Sequence, residues 1–143
     1  MSNEALTVRL RAMFVEELDE QVREANVSLL ALERAPGDGE QLRSLFRVMH
    51  TLKGAARAAD VLPVERLCHR LEALLAAARD AGRPLSRAEL DTLFTGVDGL
   101  TAAEVTMRSG QAVTDEDIER GRSAAAEEPV PQPASLPETS APV

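Results

Sequence analysis

A histidine, a lysine and a glycine stand close together in the stretch HTLKG, at His50, Lys53 and Gly54. Neutral imidazole is a nucleophile near pH 7, because the unperturbed pKa of a histidine side chain is about 6.5. A glycine one helical turn later leaves space above the ring for a phosphoryl group or a partner's surface, and the lysine would attract phosphate. The stretch therefore indicates phosphate-linked chemistry, with an ordinary histidine at the edge of a helix as the alternative.

Three arginines share the helix face of His50. Around the helix, His50 lies roughly 110° from the centre of the apolar face, and Gly54 falls within about 60° of it. Arg43, Arg47 and Arg57 project to the same side. This basic rim would attract phosphate or meet an acidic pocket on a partner protein. We regard the face as a candidate partner-docking surface.

A second histidine and a carboxylate occur on the next predicted helix, in CHRLEALL (residues 68–75). Glu72 also lies about 110° from the apolar centre of its helix, and His69 is close enough in sequence for the two side chains to touch. If the two helices form an antiparallel hairpin, Glu72 faces His50 and accepts its Nδ1 proton, which leaves Nε2 as the free nucleophile. The alternative for Glu72 is a solvated surface charge, and for His69 an outward-facing residue without a role.

A metal site is not expected. Cys68 and His69 are adjacent on a helix and cannot point at one ion, and the chain has only one other histidine, whereas zinc sites normally need three or four convergent ligands. The single cysteine excludes an internal disulfide. The sequence contains no G-x-x-x-x-G-K-[ST] stretch or other glycine-rich nucleotide site. We therefore expect no cofactor, and no catalytic activity from this chain alone.

Apolar residues recur every three or four positions along four segments, which predicts four amphipathic helices. The series run from Leu6 to Leu32, Leu42 to Ala56, Val64 to Ala78 and Leu90 to Met107. No segment shows the alternation of a strand. The predicted fold is therefore all-α, an antiparallel four-helix bundle with a short fifth helix that ends near residue 126.

The predicted helix boundaries carry their own signals. APGDGE (residues 35–40) ends the first helix, Pro63 suits the first position of the third, and Gly96 and Gly99 weaken the fourth by roughly 1 kcal/mol each relative to alanine. Capping-box spacing precedes the second, fourth and fifth helices, at Asp38 with Gln41, Ser86 with Glu89 and Thr114 with Asp117.

Composition divides the chain into a bundle at residues 1–126 and a Pro-, Ser- and Glu-rich segment at residues 127–143. We expect the second segment to be a disordered linker within a longer protein. The net charge of −8 and the 2% of aromatic residues argue against a nucleic-acid partner. The chain shows no leader and no apolar run near the roughly 20 residues of a membrane span, so we expect a cytoplasmic protein without membrane contact.

The stretch LFRVMHTLKGAA (residues 45–56) followed by LCHRLEALL (residues 67–75) resembles the histidine phosphotransfer (HPt) family. The combination H-x-x-K-G and then H-x-x-E is specific, whereas H-x-x-K-G alone would be weak. The length and helical pattern of residues 3–126 are also similar. The H-x-x-E variant and the Pro-rich segment after the bundle resemble the phosphotransfer domain of CheA-like chemotaxis kinases, rather than phosphorelay modules generally.

The resemblance implies roles for individual residues. His50 would be the phosphorylated histidine, Lys53 would support the phosphoryl group, Glu72 would hydrogen-bond the ring, and His69 would belong to the same network. The ATP-binding kinase domain, expected in the same full-length protein, would supply the phosphoryl group from ATP. An aspartate in the receiver domain of a response regulator would then accept it.

Two departures from the family pattern affect the docking of partners. Ala55 stands where a second glycine often follows the first, and RAAD (residues 57–60) lacks the Gly/Phe-rich turn common there. A stand-alone phosphorelay protein and a non-phosphorylated helical adaptor are the alternative functions.

Overall fold

The computed structural model describes residues 3–127, and all the regular elements in that range are helices. In chain order they are α1 (Asn3–Arg34), α2 (Gly39–Ala58), α3 (Leu62–Ala81), α4 (Arg87–Arg108) and α5 (Asp115–Glu127). Short connections between them confirm the predicted all-α antiparallel bundle with a short fifth helix. The predicted linker lies, from residue 128 onward, outside the described residues.

The predicted capping residues begin three of the helices. Ser86 and Glu89 exchange side chain–backbone hydrogen bonds at the start of α4, and Thr114 and Asp117 do the same before α5. Before α2, the Asp38 side chain accepts hydrogen bonds from two backbone amides, but the return bond of the predicted box is absent from this part of the chain. The caps satisfy amides that a helix cannot pair by itself.

One apolar core joins all five helices. It contains the inward positions of α1 to α4 together with Ile118 of α5, so the short last helix packs on the bundle. Its largest fully buried side chains are Leu18, Leu29, Leu32, Leu45, Met49, Leu52, Leu67, Leu75, Leu93, Leu100, Val64 and Val97.

The glycines of α4 and α5 are points of close approach. A Cβ at Gly96 would lie 2.7 Å from the Leu71 side chain of α3, and one at Gly121 would lie 2.6 Å from Ala102. Gly99 likewise faces α5, where an added Cβ would meet Arg122 at 3.0 Å. From the sequence, Gly96 and Gly99 are expected only to weaken α4. In the structure, they permit tight packing of α3 and α5 against that helix.

The turn between α2 and α3 sets the pairing of these two helices. Asp60 adopts a left-handed backbone conformation with φ of 61°, which glycine would favour and which aspartate tolerates. Arg11 of α1 donates from Nε to the carbonyl of Ala59 at 3.4 Å, which satisfies a carbonyl near the end of α2. Thus RAAD (residues 57–60) makes its tight turn without a glycine.

No helix within residues 3–127 has both the length and the apolar character needed to cross a membrane.

Candidate functional site

The centre of the site is a hydrogen bond between α2 and α3. Nδ1 of His50 lies 2.6 Å from Oε2 of Glu72, so the predicted contact across the hairpin is present. Because an ionised carboxylate only accepts hydrogen bonds, this contact assigns the proton of the neutral ring to Nδ1 and the lone pair to Nε2. The His50 side chain is 65% exposed. The structure thus combines a held ring with an accessible nucleophilic nitrogen.

Lys53 binds the other oxygen of the same carboxylate. Its Nζ donates to Oε1 of Glu72 at 2.6 Å, so His50 and Lys53, one turn apart on α2, share one acceptor on α3. An ammonium group has three donors, and further donors stay available after this bond. The support of a phosphoryl group by Lys53 stays a prediction, because in this structure the ammonium contacts Glu72.

Glu72 is buried, so the alternative of a solvated surface charge does not hold. Only 8% of the residue is exposed, because α2 packs over the side of α3 that bears it. Burial by itself would raise the pKa of this carboxyl, but hydrogen bonds and charge from Lys53 and His50 outweigh it, and the net pKa is lowered. Glu72 is therefore ionised at neutral pH and accepts at both oxygens.

Gly54 borders an open space. A Cβ built on Gly54 would meet no atom within 4 Å. Glycine inside a helix costs about 1 kcal/mol relative to alanine, and no close packing at this position requires it. The geometry supports the prediction that Gly54 leaves access to His50.

His69 is not brought into the site. The residue is exposed, and no hydrogen bond joins its ring to His50, Lys53 or Glu72 in the described part of the chain. Its spacing from Glu72 was a reason for including it, but Glu72 is buried whereas His69 is exposed. Its place in the network stays a prediction without a contact to support it.

The three predicted docking arginines are exposed but separate into two places. Arg43 and Arg47 line a groove of about 180 Å³ between α2 and α3, which we call the arginine groove; its other lining residues are Leu42, Phe46, Leu75 and Arg79. Arg57 lies beyond it, with its Nε 3.9 Å from Glu65 of α3. The groove, rather than one continuous face, is the basic surface beside His50.

The sequence analysis did not identify two residues on this side of His50: Phe46, whose ring is parallel to that of His50, and Arg79, which lies over Phe46. The ring of Phe46, one turn earlier, lies parallel to that of His50 within 5°, with centroids 6.3 Å apart. The guanidinium carbon of Arg79 lies 4.9 Å from the centroid of the Phe46 ring. An aromatic residue four positions before the histidine was the available signal for Phe46, whereas Arg79 required knowledge of how α3 packs on α2.

The remaining reactive groups have no evident role at the site. Cys68 is buried, and burial together with the charge of Glu72 raises the pKa of its thiol to about 12, which leaves it an unreactive thiol. Within the described residues, no three His, Cys, Asp or Glu side chains converge as metal ligands would.

The lowered pKa of Glu72 predicts a pH-dependent contribution to stability. Because the folded pKa lies below the unfolded value of about 4.3, ionised Glu72 stabilises the fold above that pH, and this contribution is lost as pH falls through the folded pKa. Wild type should exceed Glu72→Gln in free energy of unfolding by about 1–3 kcal/mol at pH 7, from the charged hydrogen bonds. Urea titrations from about pH 5 downward should show this difference shrinking.

Glu24→Gln, a change at an exposed carboxylate of α1, is the matched control. It should alter the free energy of unfolding little at any of these pH values. A difference between wild type and Glu72→Gln that stays constant or grows as pH falls would show that ionised Glu72 does not stabilise the fold.

The amino-acid sequence of this chain is similar to part of several chemotaxis proteins. The chemotaxis protein CheA of Halobacterium salinarum is 37% identical over 89 residues, which cover 62% of this chain and 13% of that protein. CheA of Bacillus subtilis is 34% identical over 88 residues, again 62% of this chain and 13% of the relative. The chain thus matches only a small part of the length of these relatives.

Solved structures agree with the sequence comparison. The CheA phosphotransferase domain from Thermotoga maritima superposes with a TM-score of 0.67 at 34% identity, over 76% of this chain and 99% of that one. The phosphorylated P1 domain of CheA3 in complex with CheY6 from R. sphaeroides gives a TM-score of 0.67 at 28% identity, over 82% and 96% of the two chains. The family model for the Hpt domain matches residues 9–103, which include His50, Lys53 and Glu72. This chain belongs to the Hpt domain family.

Proposed function

We propose that this chain is the histidine phosphotransfer domain of a CheA-like two-component kinase. It receives a phosphoryl group from ATP on Nε2 of His50 and passes it to an aspartate in the receiver domain of a response regulator. The single observation that carries the proposal is the exposed imidazole whose Nδ1 is held by a buried carboxylate. The CheA relatives and the solved P1 domain bound to CheY6 support the choice of partners.

The first transfer begins with the lone pair of Nε2. This pair attacks the γ-phosphorus of ATP held by the kinase domain, the bond from that phosphorus to the β–γ bridging oxygen breaks, and ADP leaves with the electron pair. Positive charge then develops on the imidazole, where the Glu72 carboxylate at Nδ1 stabilises it. Because phosphoryl transfer needs mainly alignment and charge stabilisation, a positioned ring is the essential contribution of this domain.

In the second transfer, Nε2 of His50 gives up the phosphoryl group. A carboxylate oxygen of the receiver's aspartate attacks the phosphorus, the N–P bond breaks, and its electrons return to Nε2. Glu72 keeps the proton on Nδ1 throughout, so the imidazole returns to the tautomer in which it began. The ATP site and the aspartate belong to the two partners, which we place with this chain in the cytoplasm.

His50→Gln tests the proposal directly. With a cognate kinase core and ATP labelled at the γ-phosphate, the wild-type chain should acquire an acid-labile, base-stable label, while His50→Gln should acquire none. His69→Gln is the matched control, because it removes the other histidine, which lies outside the hydrogen-bonded site. Equal labelling of wild type and His50→Gln, or no labelling of wild type, would contradict the proposed function.

Substitutions at Gly54 test whether the open space is used. Gly54→Ala should raise the free energy of unfolding by about 1 kcal/mol, because the added methyl group meets no other atom and favours the helix. Gly54→Val should still fold, but its branched side chain should slow phosphorylation by the kinase core. Ala58→Val, which adds similar bulk one turn further along α2, should leave the rate unchanged. Wild-type rates for Gly54→Val would show that partners do not need the space.

We propose that the receiver domain docks on the arginine groove, with the acidic surface around its aspartate facing the arginines. Arg47→Glu should lower the association rate with the receiver about three- to tenfold and weaken its dependence on salt, since it removes an attractive charge beside His50. Arg57→Glu makes the same charge change outside the groove and should have a smaller effect. Stopped-flow association at several salt concentrations measures both variants, and a salt response of Arg47→Glu identical to wild type would argue against docking there.

A further inference from the structure

The hydrogen bond to Glu72 is the one polar contact that holds the His50 ring among the described residues. A single hydrogen bond restrains the plane of the ring only softly, because its length and angle tolerate small changes in both side-chain torsions. A side chain that is 65% exposed has little packing to prevent these changes. Yet transfer from a large donor requires the Nε2 lone pair to point along one direction. A second constraint on the plane of the ring would therefore matter for catalysis.

Phe46 is placed to supply this constraint. Its ring is parallel to that of His50 within 5°, with centroids 6.3 Å apart, inside the range of interacting aromatic pairs. Side chains on a helix lean toward the N-terminus, so His50 leans toward Phe46 and away from Gly54. The imidazole thus has an aromatic wall on one side and open space on the other.

Phe46 is itself held from both sides. Part of it packs against the apolar core, and the guanidinium of Arg79 lies over its ring, 4.9 Å from the centroid. Arg79 and Glu72 are seven residues apart on α3, and therefore about 20° apart around the helix. One face of α3 consequently contributes two supports to the histidine of α2, one through Glu72 and one through Phe46.

We propose that Phe46, held in place by Arg79, is a positioning residue that fixes the plane of the His50 ring and directs Nε2 toward the open side above Gly54. This inference rests on the proposed phosphotransfer function and adds a role for two residues outside the H-x-x-K-G and H-x-x-E motifs. A donor bound in a rigid kinase site needs the fixed plane. A small freely diffusing donor such as phosphoramidate can approach the ring in any orientation and does not.

The test compares these two donors on the full chain. Phe46→Leu keeps an apolar side chain against the core but removes the flat ring, so kcat with the kinase core should fall about tenfold while KM for this chain changes less than about twofold. Its rate of phosphorylation by phosphoramidate should stay within about twofold of wild type, since orientation is not required. Phe46→Tyr should restore kcat because it restores the ring.

Arg79 is tested in the same assay. Arg79→Gln should lower kcat about threefold, a smaller effect because Phe46 still packs on the core. Arg70→Gln removes an equal charge from an exposed position about 180° from Arg79 around α3, on the opposite side of the helix, and it should leave kcat unchanged. Circular dichroism of each variant checks that the bundle persists.

A readout independent of the kinase is the order of the His50 ring, measured by ¹³C relaxation at Cε1. Ring order should fall in Phe46→Leu and recover in Phe46→Tyr. Unchanged ring order in Phe46→Leu, unchanged kcat, a loss confined to KM, or an equal loss with phosphoramidate would each overturn the positioning role. Failure of the kinase to label wild type would instead overturn the proposed function, while ring order would still decide the part played by Phe46.

Discussion

The structure depends on one buried carboxylate shared between two helices. Burying an ionised Glu72 is unfavourable unless both of its oxygens are paired, and α2 provides both partners, His50 and Lys53. The ammonium balances the negative charge, and the imidazole completes the hydrogen bonding. A shift of α2 by one turn along α3 would break both contacts and leave the charge unpaired. The same interaction therefore holds the register of the two helices and the orientation of the His50 ring.

The rest of the bundle keeps this pair of helices in place. The short turn at Asp60 connects α2 to α3, and Arg11 of α1 donates a hydrogen bond to the carbonyl of Ala59 within it. On the far side, the absence of a side chain at Gly96 lets α4 press against Leu71, the residue next to Glu72. Each surrounding helix thus limits the movement of α3 relative to α2, and positional precision at His50 follows from close packing well away from it.

The fold was largely predictable from sequence, because apolar periodicity and capping residues are local signals that the bundle satisfies. The contact between His50 and Glu72 was also predictable, since two helix wheels and one hairpin suffice to bring them together. The burial of Glu72 could not be predicted, because a helix wheel describes one helix, whereas burial depends on the neighbouring helix that covers it. The same limit explains why the packing roles of Gly96 and Gly99 and the position of Arg79 over Phe46 could not be predicted.

The contacts at the site hold the His50 ring at Nδ1 and leave Nε2 open. Lys53 is bonded to Glu72, and within residues 3–127 no side chain makes a hydrogen bond at Nε2 of His50. Under the proposed function, the bound partner would supply much of the charge that neutralises phosphate, with the arginine groove close by. Such a division would suit a domain that first gains a phosphoryl group and later gives it up, because strong stabilisation of the phosphorylated state would slow the second transfer. A histidine held at Nδ1 and open at Nε2 would then present the same geometry to both proposed partners.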